Sequence, residues 1–334
     1  MISLGYFGSP DFSSFFLEKL LTDKDLKKIV KVNFVLTQKD KLAGRKQILT
    51  PTPVKKTAQK YHLQVFEIDK FSQENFLKTK NLKLKISQLD IGFIYAYGAI
   101  IPKEFLNLPK YGFWCLHPSL LPKYRGVSPI ATALINGDKE TGATIFQLDE
   151  KIDHGPIIAQ EKIKININDC RPDLEKKLTE LGFEIFKNIF IKKATNFLRF
   201  RGVGGPTASK KFVADFINHR QTRFSCDKNF YSEFLLTPQN HSLATYTKKL
   251  TKQDGFIPFE KLKSKNLDLK IYNLYRGLYP WPGLWTILPN SKRLKITGMI
   301  IKNNQVKITW VQLEGKKETG FETFNKAYKV FPSF

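Results

Sequence analysis

Several residue types that would define a function at once are scarce here. Cysteine occurs only at Cys115, Cys170 and Cys226 in 334 residues, too few and too scattered for a disulfide framework or a structural zinc site. No metal is expected. No stretch of 18 consecutive apolar residues occurs, so no membrane-spanning helix is written in the chain. The opening MISLGYFGSPDF lacks the basic flank and long apolar run of an export signal. Together with the scarce cysteine, this places the expected protein in a reducing, cytoplasmic compartment, with no membrane partner. There is no internal repeat. Gly5-Tyr6-Phe7-Gly8 falls short of the GxGxxG spacing that cradles a dinucleotide, so no nicotinamide cofactor is expected. The last shortage is of acid: 30 Asp and Glu stand against 55 Lys and Arg, leaving +25 at pH 7. Such an excess favours a polyanionic partner, nucleic acid before anionic membrane, with a generally lysine-rich composition as the plainer explanation.

What remains is ordinary globular material. Hydrophobic residues at 42% and charged residues at 25% exclude wholesale disorder, and the length suits two domains. The first half alternates β-rich runs (Ile2–Phe7, Val32–Leu36, Leu63–Phe66, Ile91–Tyr97, Ala143–Leu148) with amphipathic segments such as Phe12–Leu21 and Val54–Tyr61. That rhythm predicts an α/β domain of Rossmann-like type with a mainly parallel sheet. Asp11 follows Ser9-Pro10 and makes a plausible helix start, and Pro172–Phe200 reads as one long closing helix. Arg201-Gly202-Val203-Gly204-Gly205-Pro206 cannot continue it. The expected division is therefore a domain over 1–196, a basic insert or linker over 197–238 and a second domain over 239–334. That last domain shows a helix at Leu267–Leu278 and short alternating runs at Trp285–Leu288, Leu294–Ile301 and Val306–Val311. These predict a small OB-like β-barrel or a β-meander. It carries seventeen Lys and Arg against six Asp and Glu, a net +11.

The densest chemical signal is Phe113-Trp114-Cys115-Leu116-His117-Pro118-Ser119-Leu120-Leu121-Pro122-Lys123-Tyr124-Arg125-Gly126. A strand delivers His117 to a turn, and a helix opens near Gly126. Asp153 follows 36 residues after His117, beside Gly155-Pro156 in a loop between strands. A His–carboxylate pair at the strand ends of an open α/β sheet lies where such folds place ligands, although one His and one Asp also meet for structural reasons alone. His154 reads as a solvent-facing loop residue, and His62, His219 and His241 as surface residues. The Trp281/Trp285 pair reads as core packing rather than base stacking.

Six dispersed blocks carry a resemblance that covers nearly the whole chain. SLLPKYRG (Ser119–Gly126) resembles the most specific string of the formyltransferases that use 10-formyltetrahydrofolate. YFGSPDF (Tyr6–Phe12), TQKDKLAGR (Thr37–Arg45), TPVKKTA (Thr52–Ala58), AYGAIIPKEFL (Ala96–Leu106) and LYRGLYPWPGLWT (Leu274–Thr286) are similar to the methionyl-tRNA formyltransferases among them. The resemblance implies 10-formyltetrahydrofolate as cosubstrate and methionyl initiator tRNA as partner, with nothing demanding more than a monomer. It also implies a catalytic set of Asn, His and Asp. His117 and Asp153 match the last two; Cys115 stands at the Asn position, two residues before His117 and on the same face of an extended strand.

In such a reaction an amine attacks the formyl carbon, and charge develops on the formyl oxygen. His117 is suited to donate to that oxygen and to help remove the amine proton. Asp153 is suited to orient the imidazole. An Asn amide would add a neutral donor, which a thiol replaces poorly. Three readings of Cys115 stand open: a neighbouring donor has taken over, the enzyme is slow, or the thiol acts covalently. The resemblance further places Ser119, Leu120, Leu121 and Pro122 against the folate, and backbone groups of Ala96, Tyr97 and Gly98 against its pterin, Gly98 being alternatively a structural turn. It sends the cationic loop Lys39–Thr50, with Lys41, Arg45 and Lys46, to the acceptor end of the tRNA. Lys248, Lys249 and Arg276, with Lys292, Arg293 and Lys295, are candidates for its backbone. The segment 197–236, outside the resemblance and locally +4, is expected to strengthen tRNA binding through Lys210, Lys211, Arg220 and Arg223, with a basic helix at Ser209–Phe224. The alternatives are a sugar-amine N-formyltransferase and a tRNA-binding homologue impaired by Cys115.

Overall fold

The computed structural model describes residues 1–44, 46–71, 76–200, 236–264 and 267–332, the side chains of 76–80 and 192–200 excepted. Arg45, Cys226, His219, the expected helix Ser209–Phe224 and its four cations lie outside the described residues. The chain forms two compact units. Residues 1–122, 142–161 and 178–243 build the first; 123–141, 162–177 and 244–334 build the second. Two segments of the expected first domain, 123–141 and 162–177, thus cluster with the C-terminal third.

The first unit is organised on a seven-stranded sheet. Its chain lays down β1 (Ile2–Gly8), β2 (Val30–Thr37), a short hairpin β3–β4 (Lys41–Ala43 and Ile48–Thr50), β5 (Gln64–Glu67), β6 (Ile91–Tyr95) and β7 (Phe113–His117). After the two-residue β8 (Arg125–Gly126) come β9 (Glu140–Gln147) and β10 (Ile157–Lys164). The sheet order is β10-β9-β7-β6-β1-β2-β5, parallel from β5 through to β7 and antiparallel between β7 and β9. Central strands of a parallel sheet are covered on both faces, which is why β1 and β6 read as near-continuous apolar runs. On one face Tyr6 and Phe93 meet Phe16 of the helix Asp11–Thr22 and Phe186 of the helix Arg171–Phe200, Phe93 and Phe186 with ring centroids 4.7 Å apart. On the other, Phe7, Phe34, Leu36, Ile94 and Phe113 pack with Leu82 and Ile86. Each fully buried Phe or Leu contributes about 1.5–3 kcal/mol.

Helix starts follow local chemistry. Pro53 opens the helix Pro53–Lys60, and the Thr52 hydroxyl accepts from Lys55 N at 3.1 Å. Asp11 opens its helix differently from a capping side chain: Pro10 holds the cap position without a side-chain bond, and Asp11 lies in the first turn, where the helix dipole favours an anion. The expected cationic loop is in part the hairpin β3–β4, with Leu42 opposite Leu49.

In the second unit, after the two-residue β11 (Tyr246–Thr247), β12 (Leu284–Ile287), β13 (Arg293–Lys302), β14 (Gln305–Leu313) and β15 (Glu318–Gly320) form an antiparallel meander, the second of the two arrangements that the sequence suggested. Leu284, Leu294, Ile296, Val311 and Leu313 face its core together with Leu278 of the helix Leu269–Leu278. That helix lies close against the helix Pro129–Ile135: a Cβ on Gly277 would sit 2.7 Å from Ala131 O, so only glycine permits the approach. Among the described residues no helix is long and apolar enough to cross a membrane.

Candidate active site

His117 is the last residue of β7, at the C-terminal edge of the parallel part of the sheet, where open α/β folds bind ligands. Its neighbour in register on β9 is Thr144. Asp153 comes from the loop between β9 and β10, and its Oδ2 lies 3.6 Å from His117 Nδ1, with the two side chains only 6% and 16% exposed. This separation is longer than a direct hydrogen bond and within the range of an ionic contact. The loop pays a backbone cost to present the carboxylate: Asp153 has φ of 47°, a left-handed conformation that disfavours a residue with Cβ by about 1–3 kcal/mol.

Several bonds hold the loop in place. Asp149 Oδ1 accepts from Lys151 N at 2.9 Å, and its Oδ2 lies 2.5 Å from His154 Nδ1. Gln147 N donates to Pro156 O at 2.9 Å. Gly155 passes directly under Gln147 O, where any Cβ would collide with it. His241 is exposed, as expected, whereas His154 is half-buried beside Asp149, and the two imidazoles stack 3.9 Å apart.

Cys115 shares the face of β7 with His117. Burial pushes its thiol well above the usual range, and the negative charge of Asp153 pushes the same way. The thiol donates to Leu116 O at a long 3.8 Å. A thiol held protonated is a weak donor and a poor nucleophile, which counts against the covalent reading.

The stretch Ser119–Pro122 is braced from below by a residue that sequence reasoning missed. Thr144 Oγ1 donates to Ser119 O at 2.6 Å and accepts from Leu121 N at 3.2 Å; Gln160 Nε2 reaches both Thr144 Oγ1 (2.7 Å) and Leu121 O (3.0 Å). Thr144 carried no motif; its place opposite His117 in the strand register is what gives it the role. Ser119 and Leu121 are buried, and Leu120 and Pro122 half-buried. Ala96, Tyr97 and Gly98 form a ledge just beyond β6. Tyr97 anchors it, its hydroxyl donating to Ile68 O at 2.5 Å and its carbonyl accepting from Ser9 Oγ at 3.2 Å, while burial pushes the phenol above its usual range. Ala96 and Gly98 on either side are exposed and left-handed, with φ of 54° and 87°. Gly98 also faces Gln38 closely, so it serves the turn whatever else it does.

The cations divide. Lys41, Lys46, Lys248 and Lys249 are exposed; Lys41 lies 3.8 Å from Asp69, and Lys248 is paired with Asp254 at 2.6 Å. That pairing, with the Thr251 hydroxyl, pulls the Asp254 carboxyl down to about 2. Arg276 corrects the expectation of a phosphate-binding surface residue. It is buried, donating from Nε to Asp169 O (2.7 Å), from Nη1 to Asn273 Oδ1 (3.0 Å) and from Nη2 to Asn166 O (2.9 Å). A guanidinium spent on those carbonyls holds the second unit together and has no free edge for a phosphate. Trp281 likewise departs from the core: it is 49% exposed, whereas Trp285 packs on Phe256 and donates to Lys252 O. A cavity of about 1040 Å³ in the second unit, with Leu267, Ile308 and Phe331 on its wall and Lys307, Lys326 and Lys329 at its edge, contains none of the catalytic candidates.

Residues 7–189 match the formyl transferase family, and residues 249–309 match formyl transferase, C-terminal domain. The chain is similar to the methionyl-tRNA formyltransferase of Caldicellulosiruptor saccharolyticus, 32% identical over 97% of this chain and 96% of that one. It is also similar to that of Kosmotoga olearia, 36% identical over 90% of this chain and 80% of that one. Among solved structures, a 4-N formyltransferase from Francisella tularensis shares the fold with a TM-score of 0.56 at 19% identity, covering 89% of this chain and 97% of that one. The chain belongs to the formyl transferase family, and within it to the methionyl-tRNA formyltransferases.

Proposed function

We infer that this protein transfers a formyl group from 10-formyltetrahydrofolate to the α-amino group of methionyl initiator tRNA, giving the formylated tRNA for translation initiation. The observation that carries the reading is the similarity to methionyl-tRNA formyltransferases across both domains, with His117 and Asp153 brought together at the end of β7. In this reading 1–196 carries the chemistry, 197–238 is a basic insert, and 239–334 tracks the tRNA backbone, in a cytoplasmic monomer.

The residues present fit the folate. An exposed backbone ledge at Ala96 and Gly98, anchored by buried Tyr97, suits a flat heteroaromatic ring. The braced stretch Ser119–Pro122 supplies an apolar wall beside it. The bound folate supplies the activated formyl carbon. His117 does the rest at two moments: its ring N–H donates to the formyl oxygen as negative charge develops there, and its imidazole helps carry the proton from the attacking amine to the departing nitrogen. Asp153 keeps the ring oriented. Lys41, Arg45 and Lys46 guide the acceptor end of the tRNA, and Lys248 and Lys249 add phosphate contacts; no metal takes part.

A single-turnover assay tests this. Formyl-labelled folate and charged initiator tRNA should yield labelled tRNA in one enzyme equivalent. Label appearing instead on a nucleotide-linked amino sugar would assign the protein to the sugar N-formyltransferases. Tight tRNA binding without transfer would assign it to a binding role.

A further inference from the structure

The loop that presents Asp153 is tied down by residues far along the chain. Gln239 is buried, 5% exposed, and its Nε2 donates to the main-chain oxygens of Asp153 (3.1 Å) and Gly155 (2.7 Å). Two positions earlier, Thr237 and Ile157 exchange reciprocal backbone hydrogen bonds of 2.8 and 2.9 Å. Two positions later, the His241 ring lies parallel to that of His154, at 6°. Residues 237, 239 and 241 therefore grip the loop at 157, at 153 and 155, and at 154. Within the loop itself Asp149 bonds Lys151 N and faces His154, and Gln147 N donates to Pro156 O.

The chemistry of the grip is specific. Asp153 is held in a left-handed conformation, and its carbonyl direction is coupled through φ and ψ to the direction of its side chain. An amide nitrogen carries two hydrogens and no charge, so one group can satisfy two buried carbonyls without the desolvation penalty of an ammonium. A carboxylate there would repel both oxygens, and an apolar side chain would leave both without this donor.

We propose that Gln239 is a positioning residue for formyl transfer: by bonding the Asp153 and Gly155 carbonyls, it fixes the backbone that aims the Asp153 carboxylate at His117, and His241 closes the clasp on His154. The proposal rests on the assignment of His117 and Asp153 as the catalytic pair.

A double-mutant cycle tests it. Gln239→Met keeps length and removes the donor; kcat should fall about tenfold or more, with KM for folate and tRNA within about twofold. In an Asp153→Ala background, the same change should cost less than about twofold, because its effect passes through the missing carboxylate. His241→Ala alters an exposed ring and carries little risk to folding; it should lower kcat about threefold, again only when Asp153 is present. In folded, substrate-free protein at fixed pH, the His117 ring NMR signals should move in the same direction in Gln239→Met, His241→Ala and Asp153→Ala. Losses that multiply in the double variants, a change confined to KM, or unmoved His117 signals would overturn the proposal. Absence of formyl transfer by the unsubstituted protein would instead defeat the functional reading, and the His117 signals would still decide the role of Gln239.

Discussion

Neither His117 nor Asp153 builds the hydrophobic core: one ends a strand, the other occupies a loop. His117→Ala and Asp153→Ala should each lower kcat by about a thousandfold or more while the thermal midpoint moves by only a few degrees. Steady-state kinetics beside a melting curve separates the two effects, and near-normal turnover in either variant would remove the mechanism. Cys115→Asn restores the amide donor and should keep or raise kcat by up to about tenfold. Burial and Asp153 raise the Cys115 pKa, so the folded state prefers the protonated thiol. The sign follows: the unfolded thiol ionises first, and this group's contribution to stability falls as pH rises above the ordinary thiol range. At pH 8, iodoacetamide should label Cys115 far more slowly than free cysteine; rapid labelling would revive a covalent role. That His117, Cys115 and Asp153 would lie together was legible because their spacing belongs to a motif. The burial of Arg276 was not, since its partners Asn166 and Asp169 lie more than a hundred residues earlier and no local pattern announces three carbonyl or amide acceptors.

Among the elements, β9 does more than extend the sheet. Through Thr144 it holds the stretch Ser119–Pro122, and Thr144→Val keeps the shape while removing one donor and one acceptor. The expected cost is about 1–3 kcal/mol. It should be visible as a lower thermal midpoint and a KM for folate raised several-fold, with KM for tRNA unchanged. A rise in the tRNA constant alone would place the braced stretch away from the folate. Strands and helices of the first unit were legible because parallel strands are apolar runs and the covering helices repeat at 3.6 residues. The helix Phe76–Ser87 escaped notice, as its Lys-rich composition blurs the apolar stripe. The hairpin β3–β4 was also hidden, because strands of three residues leave no measurable alternation. Register across the β7–β9 pair is a tertiary fact, and Thr144 could not have been found without it.

For the molecule as a whole, the +25 charge makes tRNA association a salt-dependent process. Replacing Lys210, Lys211, Arg220 and Arg223 with neutral residues should weaken tRNA affinity and flatten its salt dependence by up to about four phosphate contacts, with folate affinity unchanged. An unaltered slope would confine the tRNA footprint to the Lys41–Lys46 loop and the C-terminal domain. The strap from Thr237 to His241 has a further consequence, one of timing. Every residue given a chemical step precedes His154, but the bond from Gln239 to Asp153 spans 86 residues of later sequence. A ribosome adding about 5–20 residues per second needs roughly 4–17 s to make that stretch. During this interval the proposed pair, His117 at the end of β7 and Asp153 on its loop, is without the clasp of Gln239 and His241, which can close only once residues 237–241 have been synthesised.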